Sequence, residues 1–511
     1  MPGFTLLGKL HRTGLLTGAG LWRLAAGLWT TGVNLMVLLY VAARLHPQRA
    51  AITDDREQVT YARLWARAET LAYALHRQYG VGRGQQVAIV CRNHAAAIQT
   101  IFAAARTGAH VALLNPELSA DRLQALHAQM RFDFVVYDEP LAPVFAEAAV
   151  AARAISADQA EAIALAGITA AGEPARRLPR CGGGRIVVLT GGTTGAPKAA
   201  SRRPSLLAYL RPFLALLDQA HLDRCRSIYI ATPLSHGYGL AFLFIAAALG
   251  LEMHFAARFV AASACARIAS QQIQAAVLVP LMLQRMLVHD PAALAPLVTV
   301  ITGSAPLTPA LAAAALTQLG PRLYNLYGTS EAGFSILATP ALLSCKPAAI
   351  GRPLPGVAAR VIAQRASPAR QAAAAGAVGP LCIRSAWTVH RQRWIETGDL
   401  AYVDADGDIF LCGRVDDMIV SGGENVYPQD VEQIIAQHPA VDAVAVAGIP
   451  DAEFGQRLKA VVVLRPGAVV DAPALLAWLK PRVARYQMPA AVEFRAELPY
   501  TAIGKVDRRQ V

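Results

Sequence analysis

The chain has 511 residues, 54% of them hydrophobic, and its 48 Lys and Arg against 35 Asp and Glu give a formal net charge of +13. That length exceeds one ordinary domain and the apolar content supports large cores, which excludes a small disulfide scaffold and a disordered polyelectrolyte. Seven scattered cysteines show neither a disulfide framework nor a Cys/His cluster, and the positive charge is nearly all arginine without basic runs interleaved with aromatics; a reducing cytosol, and small anions or membrane rather than nucleic acid, are the expected surroundings.

Residues 1–45 form a distinct apolar leader. Leu24 to Ala43 carries no charge and follows Lys9, Arg12 and Arg23, a stretch long enough to cross a bilayer. Thr30, Thr31 and Asn34 interrupt it and Arg44 follows at once, while a secretory signal would begin earlier and end in a cleavage site. A helix lying on a membrane, a helix packed on the protein itself and a true span stay open in that order, with membrane contact expected through residues 14–45.

From 46 to 413 helical and strand-like spacing alternate. Tyr61 to Leu75 predicts a helix, Gln86 to Val90 a strand, Ala95 to Thr107 a helix, and Val111 to Leu114 and Phe132 to Tyr137 further strands. Such alternation predicts parallel sheets covered by helices. Between Gly379 and Gly413 short strands with Gly/Asp turns, as in Asp404-Ala405-Asp406-Gly407-Asp408, predict a small β-barrel-like subdomain. Residues 414–511 predict a small α+β unit with helices over Pro428–His438 and Ala472–Tyr486 and strands over Val441–Val446 and Ala460–Leu464. The expected class is α/β: a large domain over 46–413 and a small C-terminal domain over 414–511.

Six clusters carry chemistry. After the apolar run Ile186–Leu189 comes Thr190-Gly191-Gly192-Thr193-Thr194-Gly195-Ala196-Pro197-Lys198, whose glycines, hydroxyls and single lysine suit a triphosphate. It is not the common P-loop, because Ala196-Pro197 separates the last glycine from the lysine. Ala231 to Gly239 sets His236 and Tyr238 in a Pro/Gly-framed loop, and Thr302-Gly303-Ser304-Ala305-Pro306-Leu307 ends a strand with small residues. Tyr324 to Glu331, the turn Thr397-Gly398-Asp399, and Gly413-Arg414-Val415-Asp416-Asp417 leading to Ser421-Gly422-Gly423 follow, and Leu498 to Arg508 closes the chain with Lys505. Taken singly, His236 reads as a loop-packing histidine, Glu331 as a helix N-terminal acid, Asp399 and Asp416 as turn formers and Lys505 as a solvated charge.

Together and in this order the motifs resemble the adenylate-forming superfamily of acyl-CoA synthetases, adenylation domains and luciferases, over about Ala43 to Arg509, and most closely bacterial fatty-acyl-CoA ligases. The resemblance implies that ATP and a carboxylate give an acyl-adenylate and pyrophosphate, after which the CoA thiol displaces AMP. It implies that Thr190, Gly191, Gly192, Thr193, Thr194, Gly195 and Lys198 cradle the β- and γ-phosphates, with Thr193 also among the catalytic groups. Ser330 would bond the α-phosphate, Glu331 would hold Mg²⁺, and Ser304, Ala305, Pro306, Asn325, Tyr327 and Gly328 would line the nucleotide. Asp399 and Arg414 would grip the ribose, and Lys505 would bridge carboxylate and α-phosphate. His236, Tyr238 and Gly303 would border the acyl and thiol channel, and Ser421, Gly422 and Gly423 the pantetheine tunnel. Asp416 takes the hinge position about which the mobile C-terminal domain would swing between the two half-reactions.

The implied chemistry is physically coherent. A carboxylate nucleophile is already ionised at neutral pH and needs no general base, but it must approach an anionic phosphate, so oriented cations must offset the repulsion. Gly191 stands where the pattern has serine, Ala199 where it has glycine and Ser330 where it has threonine, and the Ala386–Glu396 rim is short; none removes a reacting group. No charged residue in the motifs suits an amino-acid α-amine, which favours a medium- or long-chain fatty acid, with an aryl or branched acid as another substrate. A ligase loading an acyl carrier protein, and a membrane-tethered nucleotide-binding module without activity, are the rival functions. The expected place is the cytoplasm or the cytoplasmic membrane face.

Overall fold

The computed structural model describes residues 8, 11, 14, 17–148, 150, 152–190, 198–202, 206–363, 373–389, 392–415, 419–421, 424–451, 455–501 and 505–511. They divide into two compact units, Met1–Ser304 with Ala315–Tyr324, and Ala305–Ala314 with Asn325–Val511. The boundary expected near 413 and 414 falls inside the second unit.

The first unit holds two parallel-rich sheets covered by helices. One runs in the order Arg153–Ser156, Phe134–Tyr137, Gln86–Val90, His110–Leu113, Ile186–Thr190 and Lys198–Arg202, with only the last pair antiparallel. The other runs Gln58–Thr60, Ala50–Thr53, Glu252–His254, Ser227–Ile230, Ala275–Leu278 and Thr299–Gly303, parallel except for its first pair. Strands covered on both faces must be apolar throughout, and Ser227–Ile230 and Ala275–Leu278 are buried at every position. Local signals set the helix ends: the Thr60 side chain caps Tyr61–Arg77, and the His94 ring caps Ala95–Arg106.

Two of those helices are joined by a buried ion pair. Arg106 Nε and Nη2 reach Glu69 Oε2 and Oε1 at 2.9 and 3.0 Å, and the guanidinium also donates to the Leu178 and Pro179 carbonyls. Leu178 N–H donates back to Glu69 Oε1 at 3.0 Å, so one buried pair ties two helices to a distant loop.

The leader departs from the single segment over Leu24–Ala43. It breaks at Gly32 (φ +86°) into helices Gly18–Thr31 and Met36–Leu45. A Cβ at Gly32 would meet the Cys181 carbonyl oxygen at 2.3 Å, and Asn34 fixes the corner by donating to the Thr31 and Cys181 carbonyls while accepting from Met36 N–H. Met36, Val37, Leu39, Val41, Ala42 and Ala43 are buried core of the first unit. Half of the presumed membrane segment is therefore packed on the protein, and among the described residues no helix is long and apolar enough to cross a membrane.

The second unit is antiparallel where short strands and Gly/Asp turns predict it, running from the strand Leu323–Thr329, which enters the unit at Asn325, through Gly333–Ala338, Ala349–Pro353, Ile409–Arg414, Ile395–Val403 and Gly379–Ser385 to Val357–Val361. The Asp404–Asp408 turn is closed by Lys346, whose Nζ lies 2.5, 2.6 and 2.7 Å from the carboxylates of Asp404, Asp406 and Asp408. A smaller sheet follows: Glu424–Val426, Ile419–Ser421, Gly455–Leu464 and Val441–Asp451, with Pro489–Phe494 parallel to Gly455–Leu464. The helix expected to reach Tyr486 ends at Leu479, because Pro481 cannot continue it. All seven cysteines are free thiols.

Candidate active site

Several candidate clusters stand at strand ends. Thr190 and Lys198 are register partners of an antiparallel pair, so the glycine-rich segment between them connects strand to strand rather than strand to helix. Gly191, Gly192, Thr193, Thr194 and Gly195 lie outside the described residues, as do Asp416, Gly422 and Gly423. Ser421 ends the strand Ile419–Ser421, opposite Glu424.

In the first unit Asn93 organises the histidine loop, its Nδ2 donating to Thr232 O at 3.0 Å and its Oδ1 accepting from Leu234 N–H at 2.9 Å. His236 then occupies the N-cap position of the helix Gly237–Leu249. A Cβ at Gly239 would lie 2.7 Å from the Thr232 and Pro233 carbonyl oxygens, so only glycine lets this helix start so close to the loop. Tyr238 is buried, packs edge-on against Phe242, and donates its hydroxyl to Ile301 O at 2.9 Å. Its ring is thereby locked against the strand that delivers Gly303 and Ser304. Ser304 has φ +66°, a left-handed backbone that a non-glycine residue adopts at a cost and that concentrates at functional turns.

The second unit brings together Tyr327, Asp399 and Arg414 from three strands. Asp399 and Arg414 are cross-strand partners, and Arg414 Nη1 donates to Asp399 Oδ1 at 3.1 Å. Tyr327 donates its hydroxyl to Asp399 Oδ2 at 2.5 Å, and burial, then the adjacent carboxylate, pushes that phenol well above its ordinary range. Thr397 Oγ1 accepts from Asp399 N–H at 3.2 Å and fixes the turn. Lys505 pairs back on the chain before it, with Thr501 N–H donating to Lys505 O at 2.7 Å and Tyr500 forming an antiparallel bridge with Val506. Its residue surface is open, yet surrounding protein desolvates the ammonium and lowers its pKa, with Asp399 opposing that shift and Arg414 adding to it. An ammonium that feels both a carboxylate and a guanidinium is a candidate for handling an anionic ligand. Asn325 is buried on the same strand as Tyr327, while Ser330 and Glu331 follow that strand half-exposed.

Because the folded environment depresses the Lys505 pKa, the ammonium is lost at lower pH than for a free lysine. If it carries the reaction, activity falls as pH rises through a value below 10.5, and Lys505→Arg, whose charge persists, moves that alkaline limb upward. A rate profile that stays flat to the ordinary lysine value contradicts this.

One cluster escapes the sequence reading. Cys91, His94 and Asp138 come within 4.8 Å of one another, since a distant strand end supplies the acid. His94 Nδ1 accepts from Ala97 N–H, leaving Nε2–H to donate to Asp138 Oδ1 at 2.7 Å. With both ring nitrogens engaged the histidine cannot take a proton from Cys91, whose thiol burial holds well above its ordinary range. The trio is a buried clamp at a helix start rather than a nucleophile.

Comparison with known proteins assigns this architecture to nucleotide-dependent acid activation. The AMP-binding enzyme family matches residues 39–391, and the AMP-binding enzyme C-terminal domain matches 430–505. The chain belongs to the AMP-binding enzyme family. It is 30% identical over 488 residues to a feruloyl-CoA synthase of Amycolatopsis sp, covering 92% of this chain and 96% of that protein. It is 34% identical over 347 residues to the medium/long-chain-fatty-acid–CoA ligase FadD8 of Mycobacterium tuberculosis, covering 63% of this chain and 60% of that one. Among solved structures, ATP-bound MatB from Rhodopseudomonas palustris aligns with a TM-score of 0.79 at 25% identity, over 94% of this chain and 98% of that one.

Proposed function

We propose that this protein joins a hydrophobic carboxylic acid, a medium- or long-chain fatty acid, to CoA through an acyl-adenylate, releasing AMP and pyrophosphate. The observation that carries this reading is the convergence of Tyr327, Asp399 and Arg414, with Lys505 within electrostatic reach of the last two. Asp399 and Arg414 hold the ribose, and Lys505 neutralises the approach of carboxylate to α-phosphate. Thr190 and Lys198, paired at the hairpin base, flank the loop that takes the outer phosphates. The half-exposed Glu331 supplies a hard oxygen donor that suits Mg²⁺, which would neutralise phosphate charge, and the half-exposed Ser330 hydroxyl would bond the α-phosphate.

A second substrate reading has its own support. The feruloyl-CoA synthase matches nearly the whole chain, which favours a compact aryl acid. A pyrophosphate-release screen over saturated fatty acids and aryl acids decides between them, with CoA and a holo carrier protein supplied in parallel. Greater kcat/KM for fatty acids with CoA bears out the proposal. Preference for aryl acids shifts the substrate, preference for the carrier shifts the acceptor, and release independent of any acid overturns the function.

A further inference from the structure

The helix Gly18–Thr31 is built inside out. At about 100° per residue, Leu21, Trp22, Ala25 and Trp29 fall on one arc, while Gly20, Gly27 and Thr31 fall opposite. The small residues are the buried ones. Gly27 approaches the next helix so closely that a Cβ there would lie 3.0 Å from the Tyr40 ring. The large apolar residues face outward, with Trp22 74%, Trp29 72% and Leu21 51% exposed, and Val33 beyond the corner 61% exposed. Asn34 and Gly32 lock the corner, so this face is held rather than frayed.

Charge says what covers it. The helices Gly18–Thr31 and Met36–Leu45 carry Arg23 and Arg44 and no Asp or Glu, and Arg44 is paired with Glu173. Arg180, from the run Arg176-Arg177-Leu178-Pro179-Arg180, places its guanidinium 5.1 Å from the centre of the Trp29 ring. Indoles favour the headgroup depth of a bilayer, and arginines around them favour anionic headgroups. A second copy of the chain would set this positive rim against itself.

We propose that Leu21, Trp22, Trp29 and Val33 form a non-spanning docking surface for an anionic lipid bilayer, with Arg180 contacting its headgroups. This holds whichever acid the enzyme activates.

The test is co-sedimentation of the full chain with phosphatidylglycerol-containing vesicles and with pure phosphatidylcholine vesicles. The parent should sediment with the anionic vesicles, salt should release it, and its tryptophan emission should shift to the blue on binding. Trp22→Ser with Trp29→Ser should lower vesicle affinity by about tenfold or more, leaving pyrophosphate release from a soluble acid and the thermal transition unchanged. No binding by the parent, equal binding by the double variant, or a dimer by light scattering that the double variant abolishes would each overturn the proposal.

Discussion

Replacing Lys505 by alanine should lower acid-dependent pyrophosphate release by about 10²–10³-fold, the usual cost of losing one oriented electrostatic donor. The alternating-pose reading implied by the resemblance adds a sharper expectation. Acyl transfer from a preformed adenylate to CoA should lose far less, because the lysine serves only the first half-reaction. Nucleotide affinity should also change little, since Asp399 keeps its bonds to Arg414 and Tyr327 without the lysine. Measuring the half-reactions separately gives the answer, and equal loss in both would remove Lys505 from its assigned place.

The largest effect on stability is expected far from that site, at Glu69. Glu69→Ala leaves the Arg106 guanidinium buried without its bidentate partner and strips Leu178 N–H of its acceptor. Breaking a buried pair from one side costs about 3–5 kcal/mol, since the remaining charge is left desolvated. The midpoint of urea unfolding should fall accordingly. Replacing both partners by methionine should recover much of the loss, because no lone charge then remains. A single variant as stable as the parent would show that water reaches Arg106.

Much of the candidate site was legible because its chemistry is written in short segments. The Thr190–Lys198 composition, the Thr397–Asp399 turn and the Gly413–Arg414 pair each announce themselves within a few residues. Their convergence is not written there: Asp399 meets Arg414 through antiparallel register, and Tyr327 reaches the same carboxylate from another strand. The Asp404–Asp408 turn was readable as a turn, but its closure by Lys346 was not. The Cys91, His94 and Asp138 clamp stayed hidden for the same reason, since only strand pairing brings Asp138 near. Hydropathy alone left the leader open between membrane and core. It averages over Gly32 and Asn34, the residues that turn the chain and send its second half into the core. Helix Gly18–Thr31 was then hidden as an amphipathic element because its buried side is small rather than oily.

The account stands on a carboxylate oxygen attacking the α-phosphorus of ATP, and an isotope can follow that oxygen. With the best acid labelled in both carboxylate oxygens and CoA present, one labelled oxygen should appear in AMP and pyrophosphate should stay unlabelled. Label in inorganic phosphate, or AMP without label, would mean that the acid is activated by another route or not at all.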